Sequence, residues 1–169
     1  FDVRGLWPEE RVDGDLWPAD GWLFRLAKRV ERRMFAASDA LVTLTAAHAR
    51  RLEGRAPIVA PIPCGVDLER FAAPNRYESS LNAPRTLVYV GSTGTRYRLD
   101  AMQAFASRGP VPVKLRVLTG RPAHEIPPAL TRAWAGLCFV TPGTSGAGVC
   151  PIKVAEYLAA GVPVVVNAG

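Results

Sequence analysis

Residues 150–169, CPIKVAEYLAAGVPVVVNAG, restrict the fold more than any other stretch of the chain. Pro151 can open a helix, because its missing N–H would have no partner there and its φ is already set. Gly161 can close that helix in the left-handed conformation. Pro163 stops any continuation, and Val164, Val165 and Val166 form a β-branched run suited to a buried parallel strand. The unit is a short helix feeding a parallel strand, with Lys153, Glu156 and Tyr157 in its first two turns. Free N–H groups at a helix start, beside a cation, suit an anion. Lys153 can meet phosphate oxygens, and Glu156 can accept from a ribose diol. An ordinary surface helix with a solvated Glu156 is the other reading of the same residues.

The rest of the chain repeats this alternation. Residues 22–37 predict a helix with Leu23, Ala27, Val30 and Met34 on one face, the spacing of a core-facing stripe. Arg25, Lys28, Arg29, Arg32 and Arg33 occupy the remainder. A basic amphipathic helix of this kind over 22–35 can lie on an anionic membrane, but a surface helix with a solvated charged side is the commoner case. Strands are predicted over 40–45, 57–62, 87–91, 113–119 and 137–140, and helices over 46–53, with Thr45 as cap, and 98–107. Residues 121–135 are weakly helical in pattern. Strand–helix–strand alternation of this sort indicates parallel sheets and an α/β fold. Residues 72–85, AAPNRYESSLNAPR, are polar and rich in Pro, Asn and Ser, a linker composition. Residues 1–22, with Trp7-Pro8, Trp17-Pro18 and Trp22, predict a turn-laden loop. Its tryptophans either cover a core edge or face a binding cleft.

Charge is uneven. Residues 1–84 hold 12 Lys+Arg against 12 Asp+Glu, whereas residues 85–169 hold 9 against 3. The whole excess therefore lies in the half with the glycine loop and Lys153, which favours an anionic ligand there. The cations are spread out with no aromatic-studded basic strip, which argues against a nucleic-acid partner. Cys64, Cys138 and Cys150 are odd in number and lack metal-ligand spacing, and His48 and His124 are isolated. Buried thiols in a reducing cytoplasm, with no metal and no cofactor, are the expectation. No run of 18 apolar residues is long enough to span a bilayer.

Two small-residue loops, 91–95 and 145–150, follow predicted strands, and such loops let phosphate approach the backbone closely. Arg96 or Arg98 could clamp a diphosphate with its forked guanidinium. Gly91-x-x-Gly94 alone is weak evidence, because it is not the dinucleotide fingerprint.

Three segments in order resemble a known family. Lys153, Glu156, Tyr157, Leu158, Ala159, Gly161, Pro163, Val164 and Val165 match a K-x-x-E-Y-L/M-A-x-G-x-P-V-V pattern. Ile62-Pro63-Cys64-Gly65-Val66-Asp67 with Phe71 is similar to I-P-N-G-V-D-x-x-x-F. Val90-Gly91-Ser92-Thr93-Gly94 resembles a strand end with a glycine loop. These are signatures of the retaining GT-B glycosyltransferases of family 4. The resemblance implies two Rossmann-like parts in an incomplete chain: residues 1–71 from the acceptor side, 72–85 as linker, and 86–169 from the nucleotide-sugar donor domain. It implies transfer of a sugar from a nucleotide diphosphate sugar to an acceptor, glycan or lipid-linked, with retention. Donor contacts would fall to Gly91, Ser92, Gly94, Arg96, Ile152, Lys153 and Glu156, with the catalytic residue unassigned and the location cytoplasmic or peripheral at the inner membrane face. A non-catalytic nucleotide- or partner-binding fragment and a sugar-nucleotide epimerase are the alternatives. Two positions depart from the family pattern. Gly148 stands where a second acid is frequent, and Arg96-Tyr97 stands where an Arg-Lys pair is frequent.

Overall fold

A computed structural model of the chain describes residues 1–72, 85–108 and 113–168. The fold is α/β, with two wholly parallel sheets of three and four strands. The chain divides into two compact units. One holds residues 1–64 and 141–150, the other 65–140 and 151–168. The expected linker at 72–85 falls, apart from Ala72 and Arg85, outside the described residues.

In the first unit, β1 (Asp2–Val3), β2 (Ala40–Thr43) and β3 (Ile58–Pro61) pair in that order. Helices α1 (Trp7–Asp13) and α2 (Trp22–Ala36) connect β1 to β2, and α3 (Ala46–Leu52) connects β2 to β3. Thr45 caps α3 as expected, its hydroxyl accepting from the His48 N–H at 3.0 Å. The core gathers Val3, Phe35, Leu41 and Leu52.

Two expectations fail here, each for a physical reason. The loop predicted over 1–22 contains α1. Pro8 lies in its first turn, Glu9 and Glu10 face the positive helix start, and Arg11 sits in the last turn. The larger correction concerns α2. Its predicted core stripe points outward: Leu23, Val30 and Met34 are exposed, as are Trp22 and Leu26. The helix turns Phe24, Lys28, Glu31 and Phe35 inward instead, and Phe35 is 3% exposed. Lys28 can face in because Glu9, from α1, and Glu31 bracket its ammonium, the Glu9 pair at 2.8 Å. A tertiary partner thus outweighed the local apolar period.

The second unit begins with α4 (Leu68–Phe71), capped by the Asp67 side chain. The sequence groups residues 65–71 with the first part, but Phe71 packs with Val88, Val90 and Tyr157. Strands β4 (Thr86–Val90), β5 (Lys114–Leu118), β6 (Ala135–Cys138) and β7 (Val164–Val166) form a sheet in the order β5-β4-β6-β7. Between them run α5 (Leu99–Ser107), a 3-10 turn leading into α6 (Ile126–Leu130), and α7 (Ile152–Ala159). Along β4, Leu87 and Tyr89 pack on one side while Val88 and Val90 pack on the other, so both faces of the central strand are buried.

Gly161, at φ +67°, ends α7 as expected, and Pro151 is its N-cap. Strand β6 starts and stops two residues before the predicted 137–140. Gly136 lies within it, paired with Val88 and Val164. A Cβ there would run into the Tyr157 ring, so only glycine lets that ring cross the strand. Val140, past the end of β6, is held by the Asn167 side chain, which accepts from its N–H at 2.8 Å and donates to its carbonyl at 3.0 Å.

Candidate functional site

The strand order gives the second sheet a switch point. The chain leaves β4 for β5 on one side and then returns to β6 on the other. Ligands of open parallel sheets bind where the order reverses, outside the carboxyl ends of the strands. Here those ends are Val90-Gly91 and the residues following Cys138.

Gly91 takes φ +141° and donates its N–H to the Leu118 carbonyl at 3.0 Å. A Cβ on it would lie 2.9 Å from Lys153 Cε, 3.0 Å from Lys153 Nζ and 3.3 Å from Tyr89 Oη. The glycine is therefore required twice, by its conformation and by the lysine that fills its side-chain space.

Lys153, in the first turn of α7, is 6% exposed. Its ammonium sits 3.2 Å from the centre of the Tyr97 ring and 5.1 Å from that of Tyr89. These π faces offset part of its desolvation. No carboxylate lies at ion-pair distance among the described residues. Burial pushes the amine down to about 8; Arg96 adds to the fall, while Cys138 and Glu156 oppose it. Glu156, one turn on and half-buried, is shifted the other way. Burial raises its carboxyl, against the pull of Lys153 and Arg70.

The remaining expected residues take different places. Ser92 is exposed, and its carbonyl accepts from the Tyr89 hydroxyl. Gly94 is exposed with open space around a would-be Cβ, and its carbonyl accepts from the Tyr97 N–H at 3.2 Å. Arg96 is half-buried and close enough to act on Lys153. Arg98, the other candidate clamp, forks onto Asp100 at 2.7 and 2.9 Å and is taken. Ile152 is 48% exposed at the start of α7. In the first turn the Val154 N–H donates to the Pro151 carbonyl at 3.0 Å, and no side chain caps the helix. The structure thus brings Gly91, Arg96, Lys153 and Glu156 into one neighbourhood and leaves Ser92, Gly94 and Ile152 at the surface.

The second expected loop behaves otherwise. Residues 141–150 belong to the first unit. The Ser145 N–H donates to Asp13 at 2.7 Å, Gly146 N–H to Gly143, and Val149 N–H to Gly146. Arg51 holds the Thr144 carbonyl at 2.8 Å, and Thr45 holds that of Ala147. These amides are spent on the fold, which removes the expected phosphate cradle at Ser145, Gly146 and Val149.

Three residues of the site carried no assigned role in the sequence. Tyr89 and Tyr97 form the walls around Lys153, and Tyr157 fixes the strand end by accepting the Val90 N–H at 2.8 Å. Tyr89 could have been found from the strand alternation, because it shares its face with Leu87. Tyr97 follows a turn whose geometry no local pattern discloses. Of the three cysteines, Cys138 is buried, while Cys64 and Cys150 are only partly so. Among the described residues no cluster of His, Cys, Asp or Glu could hold a metal ion, and no helix is long and apolar enough to cross a membrane. No protein-family model matches the chain, and no curated protein matches it either.

Proposed function

We propose that the second unit is the nucleotide-binding part of a retaining GT-B-type glycosyltransferase, moving a sugar from a nucleoside diphosphate sugar to an acceptor. One observation carries this reading. Lys153 is a buried ammonium without a carboxylate at ion-pair distance among the described residues, at the switch point of a parallel sheet. A buried charge left without a counter-ion is costly, so an anion arriving there recovers energy that water cannot supply. The Glu156 carboxylate, one turn further along α7, accepts from a ribose diol at the neutral end of such a ligand. Arg96 supplies a second cation beside the first. A departing nucleoside diphosphate gathers negative charge in the transition state, and fixed cations aimed at it lower the barrier. In the family pattern a lysine is frequent at position 97. Here Tyr97 instead lays its ring on Lys153, so a single ammonium carries the role of two.

Isothermal titration of the chain with UDP, GDP and their sugars, followed by assay for sugar transfer, tests the reading. Micromolar binding of a nucleoside diphosphate, lost in Lys153→Ala while the nucleoside alone is little affected, is the expected result. Equal affinity of wild type and Lys153→Ala for every nucleotide removes the site. Binding without transfer leaves a nucleotide-binding unit and removes the enzyme.

A further inference from the structure

The outward side of α2 carries an exposed apolar stripe that packing within its unit does not use. Leu23, Leu26, Val30 and Met34 recur at i, i+3, i+7 and i+11, which aligns them in one stripe along the helix. They are 39%, 49%, 48% and 42% exposed, and Trp22 at the helix start is 73% exposed. Arg25, Arg29 and Arg32 form a second exposed stripe beside it, and Arg33 stands between the two. The one acid of the helix, Glu31, faces inward onto Lys28. Four guanidinium groups and an apolar row therefore share a surface to which α2 contributes no carboxylate. Asp20 and Asp39 lie beyond its two ends.

We infer that this face of α2 docks on an anionic lipid bilayer, the helix lying in the plane of the interface. Charge complementarity selects that occupant. A protein partner would have to present an apolar groove and, alongside it, a carboxylate for each arginine. An anionic bilayer offers acyl chains to the stripe and phosphates to the guanidinium groups along the full ~22 Å of a fifteen-residue helix. Tryptophan at the helix start suits the headgroup level, where an amphipathic ring has both apolar and wet neighbours. The helix is neither long nor apolar enough to cross the membrane, so it rests on it. Phe35, in the core with Val3, Leu41 and Leu52, and the Glu9–Lys28–Glu31 bridge anchor α2 to its own unit and leave the outer face free to engage lipid. This inference is independent of the nucleotide site.

Flotation of the full chain with vesicles tests it. Binding to vesicles of phosphatidylcholine with phosphatidylglycerol is expected, with none to phosphatidylcholine alone. The double variant Leu26→Glu, Val30→Glu should lose binding at least roughly tenfold, with an unchanged melting curve, because both residues are exposed. Removing Arg25, Arg29, Arg32 and Arg33 as glutamines should do the same, whereas Arg108→Gln with Arg132→Gln, exposed arginines of the second unit, should not. Failure to bind anionic vesicles overturns the inference. So does equal loss from the Arg108 and Arg132 changes, which would mean attraction by net charge alone. A concentration-dependent dimer that is abolished by Leu26→Glu, Val30→Glu, without vesicle binding, reassigns the stripe to a second copy of the chain.

Discussion

Lys28 in the first unit and Lys153 in the second both turn inward from a helix, in opposite surroundings. Burial alone would push both amines down. For Lys28 the hydrogen bonds and charges of Glu31 and Glu9 outweigh burial and hold the amine above its ordinary value. For Lys153 the neighbours are two tyrosine rings and a second cation, so burial prevails and the amine falls to about 8. A lysine already neutralised is part of the scaffold, and a lysine left as a bare buried charge is available to a ligand. On the proposed reading, the same residue type on the same kind of element serves stability in one unit and recognition in the other.

The sharpest way to break this contrast is to replace each lysine with methionine, which keeps the stem and removes the charge. Lys28→Met leaves Glu9 and Glu31 facing each other, and one Glu9 oxygen already lacks a hydrogen-bond partner among the described residues. The cost should be about 2–4 kcal/mol, between the values for exposed and fully buried pairs. Lys153→Met should be neutral or stabilising by up to ~2 kcal/mol, while nucleoside diphosphate affinity falls roughly tenfold to a hundredfold. Denaturant midpoints with matched titrations check both signs. Destabilisation by Lys153→Met comparable to that by Lys28→Met would make the two lysines equivalent and end the contrast.

Gly148 sharpens it from the scaffold side. A Cβ there would stand 3.3 Å from Gly5 Cα, His48 Nδ1 and the Leu6 nitrogen. His48 is fully buried, and its ring is held toward the neutral form by burial and by Arg51. An acid at this position would have to force these groups apart. Gly148→Asp should therefore cost ~1–3 kcal/mol without raising nucleotide affinity. A variant of wild-type stability that binds nucleotide more tightly would show that the position is a site after all.

The sequence carried the second unit better than the first, and the two helices show why. In α7 every signal is local: proline at one end, glycine at the other, and a lysine and tyrosine four residues apart on the buried face. The β-branched strand that follows has little freedom to be anything else. In α2 the apolar stripe and the true inner face are equally periodic, and the choice rests on Glu9, which comes from another helix. The need for Gly136 in β6 was hidden in the same way, because it arises only once Tyr157 is known to cross the strand. Lys153, Glu156 and Gly91 were picked out from the sequence, and the structure gathers them near one strand end. The aromatic walls around Lys153 were not picked out, since Tyr97 reaches the ammonium only after the turn at 91–97 folds.

Glu156 gives the next largest expected effect. Burial raises its carboxyl, against the pull of Lys153 and Arg70, in a half-buried place. Glu156→Gln removes a charged acceptor, whose hydrogen bond is worth ~1.5–3 kcal/mol, and nucleotide affinity should fall roughly tenfold or more. A change below about threefold, the range of ordinary surface substitutions, would reduce Glu156 to a solvated residue of the helix.

The smallest expected effect is a pH dependence, and it belongs to Lys153 alone. An amine that titrates near 8 is charged at pH 7 and largely neutral at pH 9. Burial pushes the Cys138 thiol and the Tyr89 hydroxyl up, away from this interval. Terminal phosphates have lost their last proton by then, because that step lies near ~6. Nucleoside diphosphate affinity should therefore fall by up to about tenfold between pH 7 and 9, while nucleoside affinity stays level. For folding the sign is opposite. The folded amine lies below its unfolded value of 10.5, so the burden of a buried charge is fully present below pH 8 and is relieved as the pH rises toward 10.5. Lys28, held above its ordinary value, contributes stability throughout the same window and loses it only at higher pH. Lys153→Arg separates these effects, because guanidinium keeps its charge. It should flatten the affinity profile between pH 7 and 9, and a slope that persists in Lys153→Arg would assign the titration to another group.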